Sequence, residues 1–256
     1  MKARDSVVLI SGANRGIGKG FAEEFLKAGA RKIYLGTRDT EAVRDFVAQD
    51  PERLVPLQLD ITYQCHIKAA ARNAGDINIL INNAGVLHGG SLLDEDRVKK
   101  AHQEMDVNYF GPLAMINEFA PIIEANGGGV IANVSSVAGL VAMPGMPTYS
   151  TSKAAVHFLT LEARMELSGL GIHVMGIYPG PVDTDMVQGL AMPKIPPDEV
   201  ARETIRAMES GESHVFPDPV LKDIYSVLHK TSEHTAGKMQ TALQPKAGKM
   251  RQKQAA

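Results

Sequence analysis

Ser11-Gly12-Ala13-Asn14-Arg15-Gly16-Ile17-Gly18 decides how the rest of the chain is read. It follows an apolar run at 7–10 and precedes the stretch 17–28. In that stretch Ile17, Phe21, Ala22, Phe25 and Leu26 recur at helical spacing before Gly29. The octet is therefore a strand-to-helix turn. A turn alone needs glycine only to redirect the chain. Three glycines in the spacing Gly-x-x-x-Gly-x-Gly also let the backbone come close to a ligand, and the helix that follows offers unpaired N–H groups and the positive end of its dipole. The turn reads as a pyrophosphate cradle, with Gly12, Asn14, Arg15, Gly16, Ile17 and Gly18 as candidate binding residues.

Outward from this turn the alternation continues. Strands are expected at 33–35, 54–59, 77–81, 130–134, 172–177 and 214–216. Helices are expected at 41–48, around Ala69-Ala70-Ala71, and at 94–110, 112–125, 149–167 and 198–208. Strands and helices in this order predict right-handed βαβ units, and hence a doubly wound α/β fold: one parallel sheet of about seven strands with helices on both faces. No linker interrupts the pattern, so residues 1–230 are expected to form a single domain. The remainder, 231–256, differs in carrying Lys238, Lys246, Lys249, Arg251 and Lys253 against one acid, Glu233. It reads as a solvated basic tail, in preference to an oligomer arm or an anionic-surface contact.

The composition narrows the class. The 256 residues carry 27 Lys and Arg against 29 Asp and Glu, a net charge of −2. Such a balance gives no broad field for a phosphate backbone and argues against nucleic acid as a partner. One cysteine, Cys65, cannot form an internal disulfide and fits a reducing, cytoplasmic setting. The longest stretch free of Asp, Glu, Lys and Arg, 125–152, contains three successive glycines and two prolines, so no membrane span is expected there. The first residues are charged and lack a secretory apolar region. No metal site is expected.

Further motifs follow in order. Asn82-Asn83-Ala84-Gly85 comes after the fourth strand, and Pro179-Gly180 after the sixth. Tyr149 and Lys153 are four residues apart on an expected helix, which puts both on one face. An exposed pair of this kind contributes only a few tenths of a kcal/mol. In a shared site, however, an ammonium beside a phenol of pKa ~10 lowers that pKa towards acid–base use. With these motifs in register, the chain from about residue 7 to residue 186 resembles the short-chain dehydrogenase/reductase family, in its compact branch of Rossmann-type oxidoreductases.

The resemblance implies a catalytic set of Asn108, Ser136, Tyr149 and Lys153. Ser136 would hydrogen-bond the substrate carbonyl and Tyr149 would be the acid–base group. Asn108 would hold a water of the proton relay, while also being able to satisfy backbone at a helix kink. Asn83, Ala84, Gly85, Pro179, Gly180, Val182 and Thr184 would line the cofactor site, with Tyr149 and Lys153 contributing to it. Asp60 and Ile61 would sit by the adenine. At the end of the second strand, where an acid favours NAD, this chain has Thr37 followed by Arg38. With Arg15 in the turn, two guanidiniums suit a 2′-phosphate, so NADP(H) is favoured over NAD. The neighbouring Asp39 would reverse that reading if the register slipped by one, and it equally suits a helix cap.

The expected substrate is an uncharged, largely apolar ketone or aldehyde, or the corresponding alcohol. Candidate walls are 140–147, 86–90 and the segment after Pro179. They supply Val141, Met143 and Met186, together with Leu87, Leu140, Met146 and Met192, and little charge. Ser136 and Tyr149 would hold the reacting oxygen. Lys194 is the cation that would serve an acidic substrate. A homodimer or homotetramer is expected by resemblance. The alternative reading is a nucleotide-sensing regulatory protein with weak catalysis, against which the complete set of four polar residues argues.

Overall fold

The strands lie where runs of apolar residues must be buried on both sides. In this computed structural model, which describes residues 1–189 and 193–218, they are β1 (Val7–Ser11), β2 (Lys32–Thr37), β3 (Leu54–Gln58), β4 (Ile79–Asn82), β5 (Gly129–Val134), β6 (Ile172–Ile177) and β7 (His214–Val215). All pair in parallel, in the order β3-β2-β1-β4-β5-β6-β7. This is the doubly wound parallel sheet expected from the alternation.

Strand β1 shows why both faces are covered. Val8 and Ile10 pack with Phe21 and Phe25 of α1 (Gly16–Lys27) and Val200 of α7 (Pro197–Ser210). Val7 and Leu9 point the other way, to Ile67 of α3 (Gln64–Asn73), Phe119 of α5 (Gly111–Ala125) and Ala163 of α6 (Pro147–Leu167). Each such side chain is buried, and each one larger than alanine is worth about 1.5–3 kcal/mol of transfer free energy. The strand order reverses at β1, whose neighbours are β2 and β4. A crevice therefore opens at the carboxyl ends of β1 and β4, where such sheets bind ligands.

Two expected helices come out differently. The stretch 41–48 is a 3₁₀ turn, Glu41–Val43, followed by a single α turn, α2 (Arg44–Val47). The Asp39 carboxylate accepts from Glu41 N at 3.0 Å and starts this turn. The stretch 94–110 is not one helix. It begins as α4 (Arg97–Met105) and continues as a π-helix, Asp106–Phe110. The irregular turn brings Asn108 inward, and its amide bonds the backbone of Val86 in both directions.

Met1–Pro217 forms one compact unit. The expected boundary at 230 and the basic tail lie outside the described residues. Among the described residues, no helix is long and apolar enough to cross a membrane.

Candidate active site

The glycine turn is held open by its own backbone. Gly12 and Gly16 have φ of +69° and +51°, a region that disfavours side chains. A Cβ on Gly18 would stand 2.1 Å from the Gly12 carbonyl oxygen. Helix α1 starts with neither a side-chain cap nor an acid in its first turn, which leaves that end suited to an anion. The turn is also tied to the motif after β4. Ser11 Oγ accepts from Asn83 N and Ala84 N at 3.0 and 3.1 Å, and Asn83 Nδ2 donates to Ser11 O and Gly12 O at 2.9 and 3.2 Å. Ser11 thus braces the cradle. Sequence reading quoted this residue without giving it a role.

One cavity of about 1120 Å³ runs from this turn to the α6 tyrosine. Gly12, Asn14, Arg15, Gly16, Ile17, Thr37, Arg38, Asp60, Ile61, Asn83, Ala84, Gly85, Ser136, Tyr149, Lys153, Pro179, Gly180, Val182 and Thr184 all line it. Some of them have other duties. Ile61 packs so closely on Gly111 that a Cβ there would lie 2.5 Å from its Cδ1. The Asp60 carboxylate accepts from Thr62 N and Oγ1 at 3.0 and 2.7 Å. Gly18 is buried beneath the turn.

At the deep end, Tyr149 lies in the first turn of α6, which begins at Pro147, two residues earlier than expected. Burial pushes its hydroxyl up to about 12, against a lowering hydrogen bond with Ser136 and with a smaller raising contribution from the charge of Glu104. Lys153 Nζ donates to the Val134 carbonyl at 2.8 Å and stands 5.7 Å from the Tyr149 ring centre. Burial pushes this ammonium down to about 8. Burial dominates the Tyr149 shift in this structure, and at neutral pH the hydroxyl carries its proton. Ser136 Oγ accepts from Ala138 N at 3.1 Å and donates to Pro179 O at 3.3 Å.

Asn108 is buried beside this group without lining the cavity. Its Oδ1 accepts from Val86 N at 2.9 Å, while Nδ2 donates to Val86 O and Ser152 Oγ, both at 2.9 Å. A Cβ on Gly85 would lie 3.2 Å from Asn108 Oδ1 and 3.5 Å from Lys153 Nζ, so glycine keeps the two polar groups next to the cleft.

The walls are partly as expected. Leu87, Met143, Met146 and Met186 line the cavity. Val141 does not: it lies just beyond the 3₁₀ turn Val137–Gly139 and is 39% exposed. Lys194 does not line the cavity either, and Met192 lies outside the described residues. The wall loop after β4 is fixed by two buried charged residues that sequence reading missed. Glu104 Oε1 accepts from His88 N at 2.7 Å. Arg97 donates to the carbonyls of His88, Gly89 and Ser91 at 2.9, 2.9 and 2.8 Å, and pairs with Asp94 at 2.7 Å. Both sit on α4 seven residues apart, hence on one face, but nothing in the local sequence separates them from ordinary surface charges.

At the β2 end, Thr37 is buried and its Oγ1 donates to the Asp39 carbonyl at 3.0 Å. The Asp39 carboxylate is used by Glu41 N. Arg38 is exposed at the cavity edge. Among the described residues, no group of three or more His, Cys, Asp or Glu is arranged to hold a metal.

Comparison with known proteins bears on the whole of this arrangement. The family model described as short chain dehydrogenase matches residues 6–194. A short chain dehydrogenase from Burkholderia cenocepacia J2315, solved in complex with NADP, is 37% identical and superimposes with a TM-score of 0.84 over 96% of this chain and 100% of its own. A short-chain dehydrogenase from Sphingobium yanoikuyae, in complex with NADPH, is 26% identical with a TM-score of 0.80 over 91% of this chain and 95% of its own. Dehydrogenase/reductase SDR family member 7B of Danio rerio is 34% identical over 72% of this chain and 63% of its own length. The chain spans about half to two-thirds of the length of several such curated relatives.

Proposed function

This chain belongs to the short-chain dehydrogenase family of oxidoreductases, and from that premise we propose that it is an NADP(H)-dependent reductase of uncharged, largely apolar ketones or aldehydes, or the oxidant of the matching alcohols. The observation that carries the reading is that one cavity joins the glycine cradle to Tyr149, Ser136 and Lys153.

The donor set fits a dinucleotide. The uncapped start of α1 and the positive-φ glycines suit a pyrophosphate, and Asn83–Gly85, Val182 and Thr184 complete the groove. Three features support the phosphorylated form: Thr37 stands in place of an acid, the Asp39 carboxylate is turned to Glu41 N, and Arg15 and Arg38 line the same rim. The structural relative from Burkholderia is itself complexed with NADP. When bound, the nicotinamide supplies the hydride chemistry.

The chain's own groups handle the proton. The Tyr149 hydroxyl, protonated at neutral pH, donates to the carbonyl oxygen as negative charge develops there, and Ser136 Oγ donates a second hydrogen bond by turning its one O–H from the Pro179 carbonyl. Lys153, anchored on Val134, keeps a positive charge behind the phenol and favours the phenolate left by proton transfer. Asn108 is a positioning residue: it fixes Val86 and Ser152 and so holds the cleft beside Lys153. The wall of Leu87, Met143, Met146 and Met186 excludes water, and its lack of cations argues for an uncharged substrate.

The exposed apolar residues Val98, Phe110, Leu113, Phe158 and Met165, on α4 to α6, support a homo-oligomer. Steady-state NADPH consumption on matched neutral and carboxylated ketones tests the substrate class. Neutral ketones are expected to be preferred, and a marked preference for the acids overturns the reading.

A further inference from the structure

The Arg15 side chain is engaged across the mouth of the cavity. Its Nη1 donates to Asp185 Oδ2 at 3.0 Å, which joins the glycine turn to the 3₁₀ turn Asp185–Val187 beyond β6. The two segments also touch beside the pair, because Thr184 Cγ2 lies 3.0 Å from where a Cβ on Gly16 would stand. The other carboxylate oxygen of Asp185 accepts from Gln188 Nε2 at 3.3 Å. The acid is thus held facing the guanidinium by its own turn. Arg38, the second cation of the rim, forms no ion pair among the described residues. Of the two guanidiniums that suit a phosphate, one therefore already faces an anion.

We propose that Asp185 is a specificity-determining residue that competes with the cofactor's 2′-phosphate for Arg15. Only Nη1 of the fork meets Asp185, so a phosphate taken on that end displaces the carboxylate, and a phosphate taken on the free Nε–Nη2 edge shares the guanidinium with it and is opposed by its charge. NADP(H) meets this opposition in either geometry, whereas NAD(H) has no 2′-phosphate and leaves the ion pair in place. Asp185 accordingly weakens the binding of the phosphorylated cofactor alone and narrows the preference that Arg15 and Arg38 create. Both side chains are well exposed, 68% and 62%, so the opposing effect is modest. The inference rests on the reading of Arg15 as a 2′-phosphate ligand.

Calorimetric titration of NADPH and NADH into the full chain and into Asp185→Asn, Arg15→Ala and the double variant tests it. Asp185→Asn is expected to bind NADPH about two- to fivefold more tightly, the size set by release of an exposed ion pair, with NADH affinity unchanged. In the Arg15→Ala background the same substitution is expected to have no effect, because the contested group is gone. An unchanged NADPH affinity in Asp185→Asn overturns the proposal. So does equal weakening of both cofactors, which would make the pair a strap over the shared part of the dinucleotide. Arg15→Ala alone reports on the underlying reading. If it weakens NADPH and spares NADH, that reading stands whatever Asp185 does. If it affects neither, the reading fails and the competition fails with it.

Discussion

Replacing Lys153 by methionine should change how folding stability depends on pH, in a direction fixed by burial. The side chain is 4% exposed, and its pKa falls from 10.5 to about 8 on folding. Below pH 8 the lysine is protonated in both states, and the folded protein bears the full cost of burying the charge. Between about 8 and 10.5 the unfolded chain binds more protons, so stability rises with pH across that window. For these two values the gain from pH 7 to pH 10 is about 2–3 kcal/mol. The lost hydrogen bond to Val134 O shifts the variant by a constant, about 1–3 kcal/mol, and does not alter this slope. Urea denaturation followed by far-ultraviolet circular dichroism, run on both proteins from pH 7 to pH 10, measures the difference directly. The native chain should gain about 2–3 kcal/mol on the variant. Parallel stability curves would refute the reasoning, because the lysine would then titrate alike in both states. The same titration predicts that NADPH-driven reduction by the native enzyme declines above about pH 8, as the charge behind Tyr149 is lost.

Thr37→Asp should move the NADPH-to-NADH affinity ratio towards NADH by roughly ten- to hundredfold, the worth of one charged contact; an unchanged ratio in parallel titrations would contradict the assignment of the β2 end. Arg97→Ala strips donors from three loop carbonyls and a partner from Asp94. It should cost about 3 kcal/mol or more, roughly 6–12 °C in Tm by calorimetry, and a fall below 2 °C would show that the wall loop does not depend on it. Light scattering at micromolar concentration should find a dimer or tetramer, and Phe158→Glu, placed on the exposed α6 face, should shift it towards monomer.

The fold was legible where burial on both faces leaves no alternative. Val7 to Ile10 is apolar without alternation because β1 is the middle of a sheet covered twice, and the glycine octet has to turn the chain into α1. The site was legible where chemistry is local: Tyr149 and Lys153 share a helical face, and both line the same cavity. Tertiary contacts hid the rest. Nothing local marks the π-helix at Asp106–Phe110, and the contact made from it, Asn108 on Val86, is twenty-two residues away. Arg97 and Glu104 look like surface charges on a polar helix until the loop carbonyls and the His88 N–H that they satisfy are seen. The direction of the Tyr149 shift depends on depth of burial, which spacing does not encode. Val141 stands exposed outside the cavity, and nothing in Val137-Ala138-Gly139 marks the 3₁₀ turn that precedes it.

In the proposed NADPH-dependent carbonyl reduction, Tyr149 delivers the proton. NADPH consumption across a panel of uncharged ketones and aldehydes, compared between the native chain and Tyr149→Phe at matched NADPH occupancy, tests it most directly. The native chain should turn over at least one apolar carbonyl, and the variant should be slower by about 10²–10⁴-fold while binding NADPH as before. A variant that keeps most of the native rate would contradict the account.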